Sequence, residues 1–331
     1  MLFRRKSRVA AEPVGHVAEG GAAGPGGRMP GRALVAGWFS FPDNKATFGD
    51  SRAMDVVCRW LREAHIPFDV AGNAANRVPG IPWDVVDPAA YTIFVFVCGP
   101  WWGNPAILSR FRHCLKVGIG LTVHGQDRMG FDVVIPRDGL GEENPDLALA
   151  ASPAFVPVAG IALVHPQPPY GDRQRHARVQ AVVDEVLAGG AVAPLFLDTL
   201  LAGNPGRLTH ADQFSSLVQR TDVIVTTRLH GLVFALACGV PAVAIDPIAG
   251  GAKVAAQARA LGWPVTLAGE AVDAATLADR VAECVAGRFA ADLERCRRDA
   301  DAALAAVRGR FLAALPAPAR ITPGDDPPRP R

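Results

Sequence analysis

From residue 32 onward, short apolar runs alternate with stretches whose apolar positions recur at the helical period. The run 33–39 is followed by a loop over 41–45 and then by 50–64, which sets Met54, Val57, Cys58 and Leu61 on one helical face. Runs at 68–71, 91–98, 118–123 and 132–135 predict further strands, with a helix over 105–115. A second series predicts strands at 161–164, 195–197, 222–227, 241–245 and 265–267. Helices are expected between them at 175–187, 211–220, 232–238 and 253–261, and two more at 273–287 and 289–314 close the chain. Nearly continuous apolar strands separated by helices suit a parallel sheet covered on both faces, because such strands are buried on both sides.

The pattern therefore predicts an α/β chain of two Rossmann-like, doubly wound domains, 32–155 and 156–315, parting near Ser152, Pro153 and Pro157. A length of 331 residues fits two domains. Residues 1–31 and 316–331 are rich in Gly, Ala and Pro without apolar periodicity, and disordered tails are expected there.

Charge narrows the function. The chain has 34 basic and 32 acidic residues, but the tails are basic, and residues 32–315 carry 26 against 28. A body of net charge −2 lacks the footprint that nucleic-acid binding requires. The most apolar stretch, 232–245, is broken by Gly239 and Pro241, so no transmembrane segment is expected. Arg4, Arg5, Lys6 and Arg8 are followed by Pro13 and Gly15 where a secretory signal would place an apolar core, which points to the cytoplasm. The basic tail would touch a membrane surface only weakly and in a salt-sensitive way. Six widely spaced cysteines with no Cys-x-x-Cys pair read as free thiols, and no ligand spacing predicts a metal.

Ligands of doubly wound sheets gather at the carboxyl ends of the strands. The strand 222–227 ends directly in Arg228-Leu229-His230-Gly231, where a helix begins and its free N–H groups favour an anion. The next strand ends at Asp246, and Gly250, Gly251 and Lys253 lead into another helix. Singly, such a histidine is usually a hydrogen-bonded structural residue and such a lysine is solvated. At two successive strand ends, Arg228, His230 and Lys253 read as convergent on one multiply charged ligand, with Gly231, Gly250 and Gly251 letting backbone approach it.

Thr226-Thr227-Arg228-Leu229-His230-Gly231, followed by Ala235, Gly239-Val240-Pro241 and a Gly-Gly-x-Lys loop, resembles the polysaccharide pyruvyl transferase family. Phe48-Gly49-Asp50, Cys98-Gly99-Pro100, Arg137-Asp138 and Pro145-Asp146-Leu147-Ala148 fit in the same order, over about 33–265. The resemblance implies a GT-B-like pair of domains facing across a cleft, and transfer of pyruvate from phosphoenolpyruvate onto two sugar hydroxyls as a ketal. It assigns His230 as general acid or base, and Arg228 and Lys253 as holders of phosphate and carboxylate. It implies no cofactor, and a sugar or oligosaccharide acceptor, lipid-linked or free, of cell-surface or exopolysaccharide biosynthesis. The chain departs from the family where Lys45-Ala46-Thr47-Phe48 separates Asn44 from Gly49-Asp50, and where Pro100, Trp101 and Trp102 replace smaller residues.

Among other candidates, Trp101 and Trp102 would stack on a sugar ring or pack as structural aromatics. Arg137 would be a third cation in the site or the ion-pair partner of Asp138. Lys45 would contact a phosphate or a charged acceptor, or stay solvated, and Asp50 would cap a helix. The rival readings are a GT-B nucleotide-sugar glycosyltransferase, with Asp246 holding a ribose, and a non-catalytic relative that binds a glycan or a partner.

Overall fold

A computed structural model describes residues 31–125, 130–152, 154–166 and 168–315. Apart from Gly31, the expected tails lie outside the described residues. The chain divides between Ala154 and Phe155 into two units.

The first unit holds strands β1 (Ala33–Ala36), β2 (Phe68–Gly72), β3 (Ile81–Pro82), β4 (Ile93–Trp101), β5 (Leu115–Val123), β6 (Val133–Gly139) and β7 (Glu142–Glu143), with helices α1 (Phe48–Glu63) and α2 (Pro105–Ser109). Its order is β3-β2-β1-β4-β5-β6-β7, parallel throughout except for the β6–β7 hairpin. The order reverses between β1 and β4, the position at which sheets of this topology open a ligand crevice. Here an indole fills it. β1 stops at Ala36, a tight turn over Trp38–Ser40 follows, and Trp38 Nε1 donates to Pro100 O at 2.9 Å. Its ring meets Phe96 edge-on at 5.3 Å and lies 6.0 Å from Trp101.

That indole explains Cys98-Gly99-Pro100, where the strand expected over 91–98 does not end. β4 continues through it, still paired with β5 out to Trp101 and Val123, but kinked by left-handed backbone at Cys98 (φ 65°) and Gly99 (φ 82°). A Cβ on Gly99 would stand 2.5 Å from Trp38 Cδ1. The helix expected over 105–115 ends at Ser109. Two turns, Phe111 N to Leu108 O and Cys114 N to Phe111 O, then deliver Leu115 to its partner Ile93, while Phe111 stacks on Phe94 at 4.3 Å. The N-cap of α1 is Thr47; Asp50 is the third helical residue, and its carboxylate accepts from Thr47 N at 2.8 Å to complete a capping box.

The second unit holds strands β8 (Val158–Ala162), β9 (Ala193–Phe196), β10 (Val223–Thr226), β11 (Ala242–Asp246) and β12 (Thr266–Ala268). Its helices are α3 (His176–Ala188), α4 (Ala211–Val218), α5 (Leu229–Ala237), α6 (Lys253–Leu261), α7 (Ala274–Val285) and α8 (Ala290–Ala313). The sheet is wholly parallel in the order β12-β11-β10-β8-β9, so its switch point lies between β8 and β10. Every residue of β10 and β11 is buried, as their unbroken apolar runs require. Right-handed crossovers put α3 on one face, where it packs with α7, and α4, α5 and α6 on the other, where α8 joins them. Both units are thus Rossmann-like and doubly wound.

Gly99→Ala combines a left-handed residue with an overlap on Trp38. We expect it to cost about 2 kcal/mol or more in urea-induced unfolding with an unchanged m value.

Candidate functional site

The end of β10 is fastened before the chain turns. Thr226 Oγ1 donates to Ala162 O on β8 at 2.8 Å and accepts from Arg228 N at 2.9 Å. Thr227 Oγ1 accepts from Val164 N at 2.7 Å, which holds the chain beyond β8 alongside it. α5 starts at once and sits so close that a Cβ on Gly231 would overlap Thr226 Oγ1. Gly231 is therefore a close-approach glycine that lets the helix reach the strand end.

Arg228 has protein partners of its own at the end of the strand. Its guanidinium turns back over the ends of β8 and β9, where Nε donates to Leu163 O at 3.0 Å and Nη2 pairs with Asp198 Oδ1 at 3.0 Å. The two side chains are 11% and 12% exposed, so the pair is largely removed from water. Two of the five guanidinium donors are committed and the others have no partner among the described residues. Asp198 was missed from sequence, although its position just past a strand end is the same signal that singled out Arg228. His230, the second residue of α5, is exposed. Lys253 is exposed as well and opens α6.

Asp246 takes a different role from the ribose-binding one considered above. Its side chain is buried at the end of β11, where Oδ1 accepts from Ile248 N at 3.1 Å and Oδ2 from Ala252 N at 2.7 Å and Ala255 N at 2.8 Å. The carboxylate thereby occupies the amino terminus of α6, where an incoming anion would otherwise bind. The loop it organises is not slack. Arg173 donates to Ala249 O at 2.9 and 2.8 Å and to Gly251 O at 3.0 Å, while Ala249 N donates to Arg173 O and Arg175 N to Pro247 O. Gly250 and Gly251 are needed for left-handed backbone, φ 77° and 79°, rather than for flexibility. Gly250 N donates to Glu270 at 2.9 Å, and that amide, followed by the backbone N–H of Glu270 itself and more weakly by Arg175 and Arg173, holds the Glu270 carboxyl below its usual range.

His176, passed over in the sequence, begins α3. It is 9% exposed and neither ring nitrogen has a hydrogen-bond partner. Burial is the main cause holding its pKa below 6.5; His165 and Lys253 push the same way and Asp246 opposes them.

The remaining candidates belong to the first unit. Trp101 is 1% exposed and packed against Phe96 and Phe131, each at 4.8 Å, so it offers no face to a sugar. Trp102 is 63% exposed, with its ring stacked on His124 at 5.2 Å. Arg137 is spent on Asp138 and Asp146, each at 3.0 Å, and on Thr122 Oγ1. One guanidinium between two carboxylates leaves a net negative cluster, which contradicts a third cation for an anionic ligand. Lys45 is an exposed loop residue. A groove lined by Arg52, Arg59, Arg62, Phe68 and Ser152 runs along α1 and contains none of the candidates. Thus Arg228, His230, Gly231, Gly250, Gly251 and Lys253 share the carboxyl ends of β10 and β11, and the other four do not.

Fold and site together define a doubly wound α/β protein with basic groups on the strand-end side of its second sheet. Residues 202–247, which take in α4, β10, α5 and β11, match the family model of polysaccharide pyruvyl transferase. No curated protein matches the chain in sequence. Solved structures similar to it include a UDP-GlcNAc 2-epimerase from Methanocaldococcus jannaschii, at 9% identity over 77% of this chain and 92% of that one, TM-score 0.29. The glycotransferase of kitacinnamycin aligns at 15% identity over 82% and 95%, TM-score 0.31, and the calicheamicin glycosyltransferase at 13% over 88% and 100%, TM-score 0.33. Likeness at that level carries no chemistry across. No helix among the described residues is long and apolar enough to cross a membrane.

Asp198→Ala leaves the Arg228 charge buried without its counter-ion, and we expect a loss of about 3 kcal/mol in chemical denaturation. A second expectation concerns pH. The folded imidazole of His176 binds a proton less readily than the unfolded chain, so stability is complete above 6.5 and declines as pH falls from there toward the folded pKa. Thermal unfolding between about pH 5 and 7 should show this decline, and His176→Gln should flatten it.

Proposed function

We propose that the chain transfers pyruvate from phosphoenolpyruvate to two hydroxyls of a sugar, forming a cyclic ketal and releasing phosphate. The observation that carries the reading is the match over residues 202–247, in which Arg228 and His230 stand at the amino terminus of α5 beside a topological switch point. Phosphoenolpyruvate presents a phosphate and a carboxylate on one carbon, and such charge density calls for fixed cations. Asp198 and Leu163 O hold the Arg228 guanidinium in one orientation, so its remaining donors meet the ligand without further ordering. Lys253 supplies a second charge from the start of α6.

The reaction balances without an outside reagent. A proton added to the methylene carbon makes C2 electrophilic, one sugar hydroxyl adds there, and the second displaces phosphate. Of the two hydroxyl protons released, one replaces that spent on the methylene and the other leaves with phosphate. His230 is exposed and uncommitted among the described residues, and it is the residue assigned to move these protons. The acceptor is a sugar or oligosaccharide of a cell-surface polymer. The glycosyltransferase alternative loses the residue that favoured it, since Asp246 already binds three backbone amides.

Calorimetric titration with phosphoenolpyruvate, run beside nucleotide sugars, tests the reading. We expect saturable phosphoenolpyruvate binding that Arg228→Ala removes. His230→Ala should keep donor binding while turnover falls about 10²–10⁴-fold. Binding of a nucleotide sugar in place of phosphoenolpyruvate would overturn the assignment.

A further inference from the structure

α3 and α6 begin side by side, because Arg175 N donates to Pro247 O and Gln174 forms a β-bridge with Ile248. Their amino termini differ in one respect. That of α6 is filled by the Asp246 carboxylate, whereas α3 has no side-chain cap. Its first-turn amides therefore remain available to an anion. The first residue of that helix is His176, and a side chain there tilts toward the helix amino terminus. Its imidazole is buried with two unpartnered nitrogens, a condition that native interiors rarely tolerate without a ligand or a bound water. The charged groups within electrostatic reach are His165, past the end of β8, Lys253 on α6, and Asp246 on β11. The Asp246 carboxylate is already shared among three amides, and the Arg173 and Arg175 guanidiniums are spent on backbone carbonyls.

We propose that His176, with His165, Lys253 and the first-turn amides of α3, forms a phosphate subsite, and that the His176 imidazole takes up a proton when phosphate binds. A dianion at this position meets the two things the structure leaves unmatched: an uncapped helix start and two orphaned ring nitrogens. It also reverses the electrostatic balance around the imidazole, because the charged form gains a partner that it lacks in the empty site. The inference deepens the reading of the site as one for a phosphorylated donor, yet the subsite needs only the phosphate group, so the two are tested apart.

The probe is inorganic phosphate, titrated into the full chain at pH 7 with ring-labelled histidine followed by NMR. We expect the His176 imidazole to be neutral without phosphate and doubly protonated at saturation. Calorimetry in two buffers of different protonation enthalpy should register net proton uptake, short of one per phosphate because the monoanionic share of free phosphate gives up its own proton on binding as the dianion. His176→Gln should weaken phosphate binding about tenfold or more and abolish the uptake, whereas His210→Gln, a change at the exposed start of α4, should alter neither. An imidazole that stays neutral at saturating phosphate, a wild-type chain that binds no phosphate, or a His176→Gln chain that binds it as the wild type does would each overturn the proposal. Should His176→Gln fail to fold, the wild-type NMR titration decides alone. Phosphate bound through His176 with no tighter binding of phosphoenolpyruvate would uphold the subsite and defeat pyruvyl transfer. Tight phosphoenolpyruvate binding with His176 unchanged would do the reverse.

Discussion

The carboxylate of Asp246 is the interaction on which the second unit's strand-end surface depends. A charge buried at the end of β11 is tolerable only because three backbone amides point at it, and those amides come from residues 248, 252 and 255. Collecting them bends the chain after the strand into one shape and starts α6 at Lys253. The shaped loop then presents the carbonyls of Pro247, Ala249 and Gly251 to Arg175 and Arg173, which sit between β8 and α3. One side chain thus links the start of α6 to that of α3 across the sheet, and the burial of His176 follows from that link.

A second buried charge governs the other side of the switch point. Arg228 is anchored by Asp198 from the β9 connection and by a carbonyl just beyond β8. The pair costs desolvation and returns little net stability over an apolar substitute, so its more evident consequence is geometric. It keeps a guanidinium with unused donors at a fixed point beside the crevice, which is what electrostatic preorganisation requires. Because Asp246 fills the α6 terminus, an incoming anion is left with the starts of α5 and α3, one on each face of the sheet.

The strands and helices of the second unit were legible because buried parallel strands and amphipathic helices write their periods directly into the sequence. β10 could be read to within a residue, and α5, expected over 232–238, to within three at its start; with them came Arg228, His230 and Gly231. Partnership was not legible. Nothing near Arg137 in the chain reveals that Asp146 also reaches it, and Asp198 lies 30 residues before Arg228. Asp246 read as a ligand residue because a carboxylate at a strand end looks the same whether it faces solvent or three amides of its own loop. His176 gave no signal because its burial arises from a bridge to residues more than 70 positions away.

The two units show why topology alone leaves chemistry open. Each is a doubly wound sheet with a switch point, so each has a place where strand connections diverge and a crevice is expected. In the first, Gly37 is followed by Trp38, and the indole lies in that crevice while β4 kinks at Cys98 and Gly99 to receive it. Phe96, Trp101 and Phe131 close around the same point, so the crevice has become part of a hydrophobic core. In the second unit, β10, the strand across the switch point from β8, is followed by Thr227, Arg228 and a helix start that only glycine at position 231 brings close enough. A bulky apolar side chain converts one switch point into packing, while a paired guanidinium keeps the other polar. The difference between scaffold and site here lies in the few residues that follow each central strand, not in the architecture that carries them.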